Sequence, residues 1–153
     1  MAKQLAVIAH APSPNTLKLK EAVLAGAAKG SDSVMVTWTP PLEAGPETLL
    51  AADGLILGTT ENLGYMAGAL KDFFDRTYYA VLETKQGLPF ATYIRAGHDG
   101  TGTRRAIESI TTGLKWKQVQ DTLVLRGDWQ ERFVSDVQAL GEAMAAGLEL
   151  GVF

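Results

Sequence analysis

Apolar positions along this chain follow two alternating patterns. Continuous runs of strand length occur at Gln4 to Ala9 (QLAVIA), Ser33 to Trp38 (SVMVTW), Gly54 to Thr59 (GLILGT), Pro89 to Ala96 (PFATYIRA) and Val119 to Leu125 (VQDTLVL). Between them, apolar residues recur at helical spacing. Leu19, Val23, Gly26 and Ala27 mark one helix, with Gly30 placed as its stop. Leu70, Phe73, Phe74, Thr77, Tyr78 and Val81 form one face of another, with Lys71, Asp72, Asp75 and Arg76 on the opposite face. Lys71 and Asp75 have the i,i+4 spacing of an ion pair. Ala106, Ile107 and Ile110 mark a third helix, and Phe133, Val137, Leu140, Met144 and Leu148 the apolar face of a closing one. The Pro/Gly-rich TPPLEAGPE reads as a loop.

Strands that are apolar throughout, each followed by a helix, predict a parallel sheet covered on both faces. The 153 residues fit one domain spanning residues 1–153. In such sheets ligands bind beyond the carboxyl ends of the strands. Three segments occupy those ends: HAPSPNT after the first strand, TTENLGYMAG after the third and AGHDGTGT after the fourth. All three are rich in Gly, Ser, Thr and Asn, and they are more elaborate than most connections in α/β units.

Composition narrows the function. Hydrophobic residues make up 46% and charged residues 20%, the balance of a globular domain. A net charge of -3 offers no basic stripe for nucleic acid, and it is too mild for a strongly acidic docking protein. The absence of cysteine excludes disulfides, thiolate catalysis and Cys-ligated metal. No apolar run approaches the roughly 20 residues of a membrane span. Met1 to Ile8 is too short and too weakly basic for a secretion signal, so a cytoplasmic location is expected. No grouping of His and carboxylates has metal-ligand spacing, and no metal is expected.

The first segment places Ser13, Asn15 and Thr16 where a helix begins. A helix N-terminus presents unpaired N–H groups and partial positive charge, so these residues fit a phosphate cradle. They equally fit plain N-capping. In the third segment Gly97, Gly100 and Gly102 allow close backbone approach, while Thr101 or Thr103 could cap the following helix. His98 and Asp99 raise acid–base chemistry, although a loop histidine commonly faces solvent. His10, at a strand end, reads as structural. Trp38, Trp116 and Trp129 lie outside the three segments.

Two stretches resemble known proteins. HAPSPNTLKLKEAV is similar to the phosphate loop of flavodoxin-like FMN proteins, whose pattern is hydroxyl-x-Ser/Thr-Gly-Asn-Thr. Ser13, Asn15 and Thr16 match, while Ala11 and Pro14 depart, Pro14 standing where the pattern has Gly. GTTENLGYMAGALKDFFDR resembles the segment GTPEYNGSMSGALKNFLDR of NAD(P)H-dependent FMN reductases in the same superfamily. The resemblance implies a three-layer flavodoxin-like α/β sandwich with a five-stranded parallel sheet of order 2-1-3-4-5, holding FMN. It implies that Ser13, Asn15, Thr16 and Leu17 surround the phosphate. Thr60, Glu61, Asn62, Leu63, Gly64 and Tyr65 would line the ring, Met66 and Ala67 would begin the helix behind it, and Gly97, His98, Asp99 and Gly100 would cover its pyrimidine side. The implied activity is electron transfer from NAD(P)H through flavin N5 to a small acceptor such as a quinone or free flavin, with no catalytic side chain named and a homodimer as one assembly. A non-enzymatic electron carrier of the flavodoxin type, or a relative that has lost FMN and kept the scaffold, stands as the alternative.

Overall fold

The computed structural model describes residues Met1–Phe153. Its elements in chain order are β1 (Gln4–Ala9), α1 (Pro14–Gly30), β2 (Met35–Thr39), α2 (Pro46–Ala51), β3 (Gly54–Asn62), β4 (Tyr65–Met66), α3 (Gly68–Val81), β5 (Pro89–Ala96), α4 (Thr101–Gly113), β6 (Lys117–Gln118), β7 (Leu123–Arg126) and α5 (Arg132–Leu150). The main sheet runs β2-β1-β3-β5-β6, with β7 also on β5 and β4 on β3. Every pairing is parallel except β3 with β4.

This is the expected flavodoxin-like order, with two amendments to a simple five-strand count. The fifth position is filled by two short pieces. β6 pairs with Pro89 and Phe90, and β7 pairs with Tyr93 to Ala96 on the same edge of β5. Of the strand expected over Val119 to Leu125 only the end is paired, because polar Gln120, Asp121 and Thr122 delay β7 to Leu123, while β6 precedes that run altogether. Strand β4 adds a small hairpin at the carboxyl edge. TPPLEAGPE is also not all loop, because Pro46 opens the six-residue α2. Pro at the first helical position loses no hydrogen bond, since that N–H has no intrahelical acceptor. Strand β2 begins at Met35, two residues later than the apolar run suggested.

Alternation along the strands divides the core in two. Ala6, Ile8, Leu55 and Leu57 face α3 and α4 with Phe73, Phe74 and Trp116, while Leu5, Val7, Ala9 and Ile56 face α1 and α5 with Phe133, Val137 and Met144. Each fully buried Leu, Ile, Val or Phe contributes about 1.5–3 kcal/mol. No helix is long and apolar enough to cross a membrane.

Both helices on the second face must fit over the same strands, and glycine makes that fit. A Cβ on Gly26 would collide with the Gln138 carbonyl, one on Gly30 with the Glu142 carbonyl, and one on Gly141 with the Val23 carbonyl. Helices α1 and α5 therefore touch backbone to backbone. The loop before β2 is tied to α5 separately, by Glu149, whose carboxylate accepts from Ser31 Oγ at 2.9 Å and Ser33 Oγ at 2.7 Å. These two bonds, Ser33's first, lower the Glu149 pKa. On the opposite face, the polar stripe of α3 carries the Lys71–Asp75 pair at 2.6 Å and Arg76–Asp72 at 2.7 Å.

Gly26→Ala should lower folding stability by about 1–3 kcal/mol through overpacking, despite alanine's better helix propensity. Gly68→Ala is the contrast, because open space surrounds that position. It should raise stability by about 0.4–1 kcal/mol by restricting the unfolded chain. Urea unfolding midpoints check both signs.

Candidate functional site

The first, third and fourth principal strands all end at one edge, and their loops meet there. The first loop runs from His10 to Ser13. The His10 N–H donates to the Gly58 carbonyl at 2.9 Å, which holds the start of the loop on β3. Ser13 is the N-cap of α1, with extended backbone, and Pro14 is the first helical residue. Thr16 N–H donates to Ser13 Oγ at 3.2 Å, and Ser13 N–H donates to Thr16 Oγ1 at 2.9 Å. Thr16 Oγ1 also donates to the Ser13 carbonyl at 3.0 Å, and the residue is buried. The hydroxyls of Ser13 and Thr16 thus form a reciprocal capping box. Asn15 is half-buried, and Leu17 is exposed. Asn15 N–H and Ala11 N–H have no protein acceptor.

The second segment is a hairpin rather than a loop. Strand β3 continues to Asn62, the chain turns at Leu63 and Gly64, and β4 returns with Asn62 opposite Tyr65 and Glu61 opposite Met66. Leu63 has φ 54° and Gly64 φ 75°, the two positive values of a type I′ turn. Met66 therefore belongs to β4, Ala67 is the N-cap, and α3 begins at Gly68. The junction is pinned by Thr59 Oγ1, which accepts from Ala67 N–H at 3.1 Å. Thr60 Oγ1 donates to Asn62 Oδ1 at 2.7 Å. Tyr65 is partly exposed, and Leu63 is wholly so.

Glu61 joins this hairpin to the third loop. One carboxylate oxygen accepts from His98 N–H and the other from Gly100 N–H, both at 2.9 Å. Gly102 also packs so closely on the Gly64 carbonyl that a Cβ there would collide with it. Gly100, at φ 69°, takes the cap position of α4. Asp99 Oδ1 accepts from Thr101 N–H at 3.0 Å, and that bond chiefly lowers the Asp99 pKa. His98 and Asp99 are exposed, whereas Thr103 is fully buried. The N–H groups of Leu63, Gly64, Gly97 and Asp99 have no protein acceptor. His10 is half-buried, and burial lowers its pKa.

Aromatic residues flank the first loop. Trp38 donates from Nε1 to the Ala9 carbonyl at 3.1 Å, and Lys20 Nζ sits 4.2 Å from the centre of a Trp38 ring. Trp129 lies after β7, with Lys18 Nζ at 5.9 Å and the Arg95 guanidinium at 6.0 Å from its ring. Trp129 carries no motif in the sequence. Its place beside α1 follows from the packing of α5, which it precedes, on that helix.

A doubly wound parallel sheet with a capped helix, a tight hairpin and a glycine-rich loop at its carboxyl edge defines the flavodoxin-like class of α/β proteins. The family model for NADPH-dependent FMN reductase matches residues 15–130. The chain belongs to that family, and FMN is its flavin. Among solved structures it is similar to a flavodoxin from the domain Archaea (18% identity, 95% of this chain and 99% of that one, TM-score 0.81). It is also similar to a flavodoxin, WrbA-like protein from Agrobacterium tumefaciens (16%, 97% and 99%, TM-score 0.75). An oxidoreductase from Corynebacterium diphtheriae gives 17% identity, 98% coverage of both chains and a TM-score of 0.70. No curated protein matches the sequence.

The Glu61 clamp yields a test. Glu61→Ala should cost about 1–3 kcal/mol, because two donors lose a charged acceptor. Amide exchange at His98 and Gly100 should accelerate more than elsewhere. Glu61→Gln, which keeps one acceptor oxygen, should fall between wild type and alanine. Unchanged exchange at both amides in the alanine variant would show that the third loop holds its shape without Glu61.

Proposed function

We propose that this chain is an FMN-dependent oxidoreductase that takes electrons from NAD(P)H and passes them to a small acceptor such as a quinone or free flavin. One observation carries the reading. Unpaired backbone N–H groups on the hairpin tip (Leu63, Gly64) and the third loop (Gly97, Asp99) sit in two loops that Glu61 ties together at a single edge. A flavin pyrimidine is rich in acceptors, so such donors suit its edge. The glycines admit the close backbone approach that a flat ring requires.

When bound, FMN supplies hydride and single-electron chemistry at its N5 atom, and the protein supplies position and electrostatics. Thr60 to Tyr65 would line the ring, with Leu63 and Tyr65 offering apolar surface. Gly97 to Gly100 would close the pyrimidine side. The first loop would receive the phosphoryl end through Asn15, on a loop shaped by Ser13 and Thr16. Leu17 stands one turn further along α1, beside Pro14 and Lys18 on the groove toward α5.

The full chain should quench FMN fluorescence on titration and should oxidise NAD(P)H in the presence of FMN and a quinone. Binding without nicotinamide oxidation would favour the electron-carrier reading instead. Leu63→Asn keeps a residue that tolerates positive φ and removes the apolar side chain. It should weaken FMN binding about tenfold, the equivalent of about 1.4 kcal/mol, while folding stability stays level or rises. Equal affinity in the variant would remove the hairpin tip from the ring site.

A further inference from the structure

The first loop is poorly equipped to hold a dianion. Pro14 removes the N–H of the first helical position, and Ser13 Oγ already takes that of Thr16. Leu17 N–H is spent on the Ser13 carbonyl at 2.9 Å. Among the first three positions of α1, only Asn15 offers a free backbone donor. The Thr16 hydroxyl is turned inward, donating to the loop's own carbonyl.

Cations are no better placed. Ala11 to Thr16 contains no Lys or Arg. The two lysines in the first half of α1 are turned onto tryptophans, Lys18 toward Trp129 and Lys20 over Trp38. Lys20 is also buried and paired with Glu21 at 2.6 Å. Arg95 is tied to the carbonyls of Ala96 at 2.9 Å and Leu125 at 3.1 Å, and its guanidinium lies 5.2 Å from the Phe133 ring. The first loop thus keeps two free N–H groups, Ala11 and Asn15, against four at the ring end, on Leu63, Gly64, Gly97 and Asp99.

We propose that the chain recognises flavins by the ring rather than by the phosphate, so that riboflavin is bound nearly as well as FMN. This rests on the flavin-site reading above and deepens it. The phosphoryl end lies at a loop whose hydroxyls serve the helix cap, and no cation anchors it. The isoalloxazine ring, common to both flavins, supplies most of the affinity.

The test is paired titration of the full chain with FMN and with riboflavin, read by fluorescence quenching at two salt concentrations. The expected dissociation constants differ by no more than about tenfold, and FMN binding depends little on salt because no exposed ion pair is being screened. FMN binding more than about tenfold tighter than riboflavin overturns the inference while leaving the flavin-site reading intact. Failure to bind either flavin overturns both. Pro14→Gly supplies the second arm, since glycine restores an N–H at the first helical position. It should tighten FMN binding several-fold and leave riboflavin unchanged, and its melting curve confirms folding. An equal response of the two flavins to the substitution would overturn the role assigned to Pro14.

Discussion

The structure depends on a backbone-to-backbone contact between its first and last helices. A parallel sheet must be covered on both faces, and α1 and α5 share one of them. Glycines at positions 26, 30 and 141 bring their axes together where any side chain would hold them apart. The contact also has a positional consequence. Helix α1, like α3 and α4, begins at the carboxyl edge of the sheet, so its seating on α5 sets where Ser13 and Asn15 stand relative to β1 and β3. A core requirement far from the edge therefore determines the geometry of the first loop. The same seating brings Trp129 of the segment before α5 against Lys18 of α1.

The other two loops at that edge are positioned by a different kind of force. Glu61 spends a carboxylate on two backbone N–H groups, and Gly102 lies directly on the Gly64 carbonyl. Charge-assisted bonds of this type are about twice as strong as neutral ones. They make the hairpin and the third loop a single unit, leaving N–H groups on both sides unpaired. Such groups cost little while water can reach them. On the proposed reading, the acceptor-rich edge of the flavin ring would displace that water.

Much of this was legible in the sequence, because burial on both strand faces and on one helix face leaves a strong periodic trace. Gln4 to Ala9 and Pro89 to Ala96 are strands at the expected limits, and Phe133, Val137, Leu140, Met144 and Leu148 are all buried along α5. The parts that escaped have weak local signals. The hairpin hides because β4 is two residues long and its turn places leucine, a residue that disfavours positive φ, beside the glycine. The short α2 lies within a proline-rich stretch that also reads as loop. In the first loop, hydroxyls suited to phosphate are the same hydroxyls suited to capping, and only coordinates show that Ser13 and Thr16 bond to each other. Glu61 meets partners 37 and 39 residues away, a relation that no local pattern encodes.

Leu63 supports the proposed reading of the edge as a binding surface. A left-handed conformation costs a non-glycine residue about 1–2 kcal/mol. A fully exposed leucine gains nothing from burial to offset it. Asn, Asp or Gly at this turn position would fold more favourably on both counts. Local rules of this kind are broken at functional sites and compensated elsewhere. Here the compensation is visible in the Glu61 clamp and the Thr59 and Thr60 hydrogen bonds that brace the hairpin on either side of its tip. A tip braced this firmly has its backbone ordered before anything docks on it, and it holds the Leu63 side chain out in solvent. The backbone part of the ordering cost that normally opposes binding has been met during folding, which suits the proposed role of the tip as a surface for a flat ring.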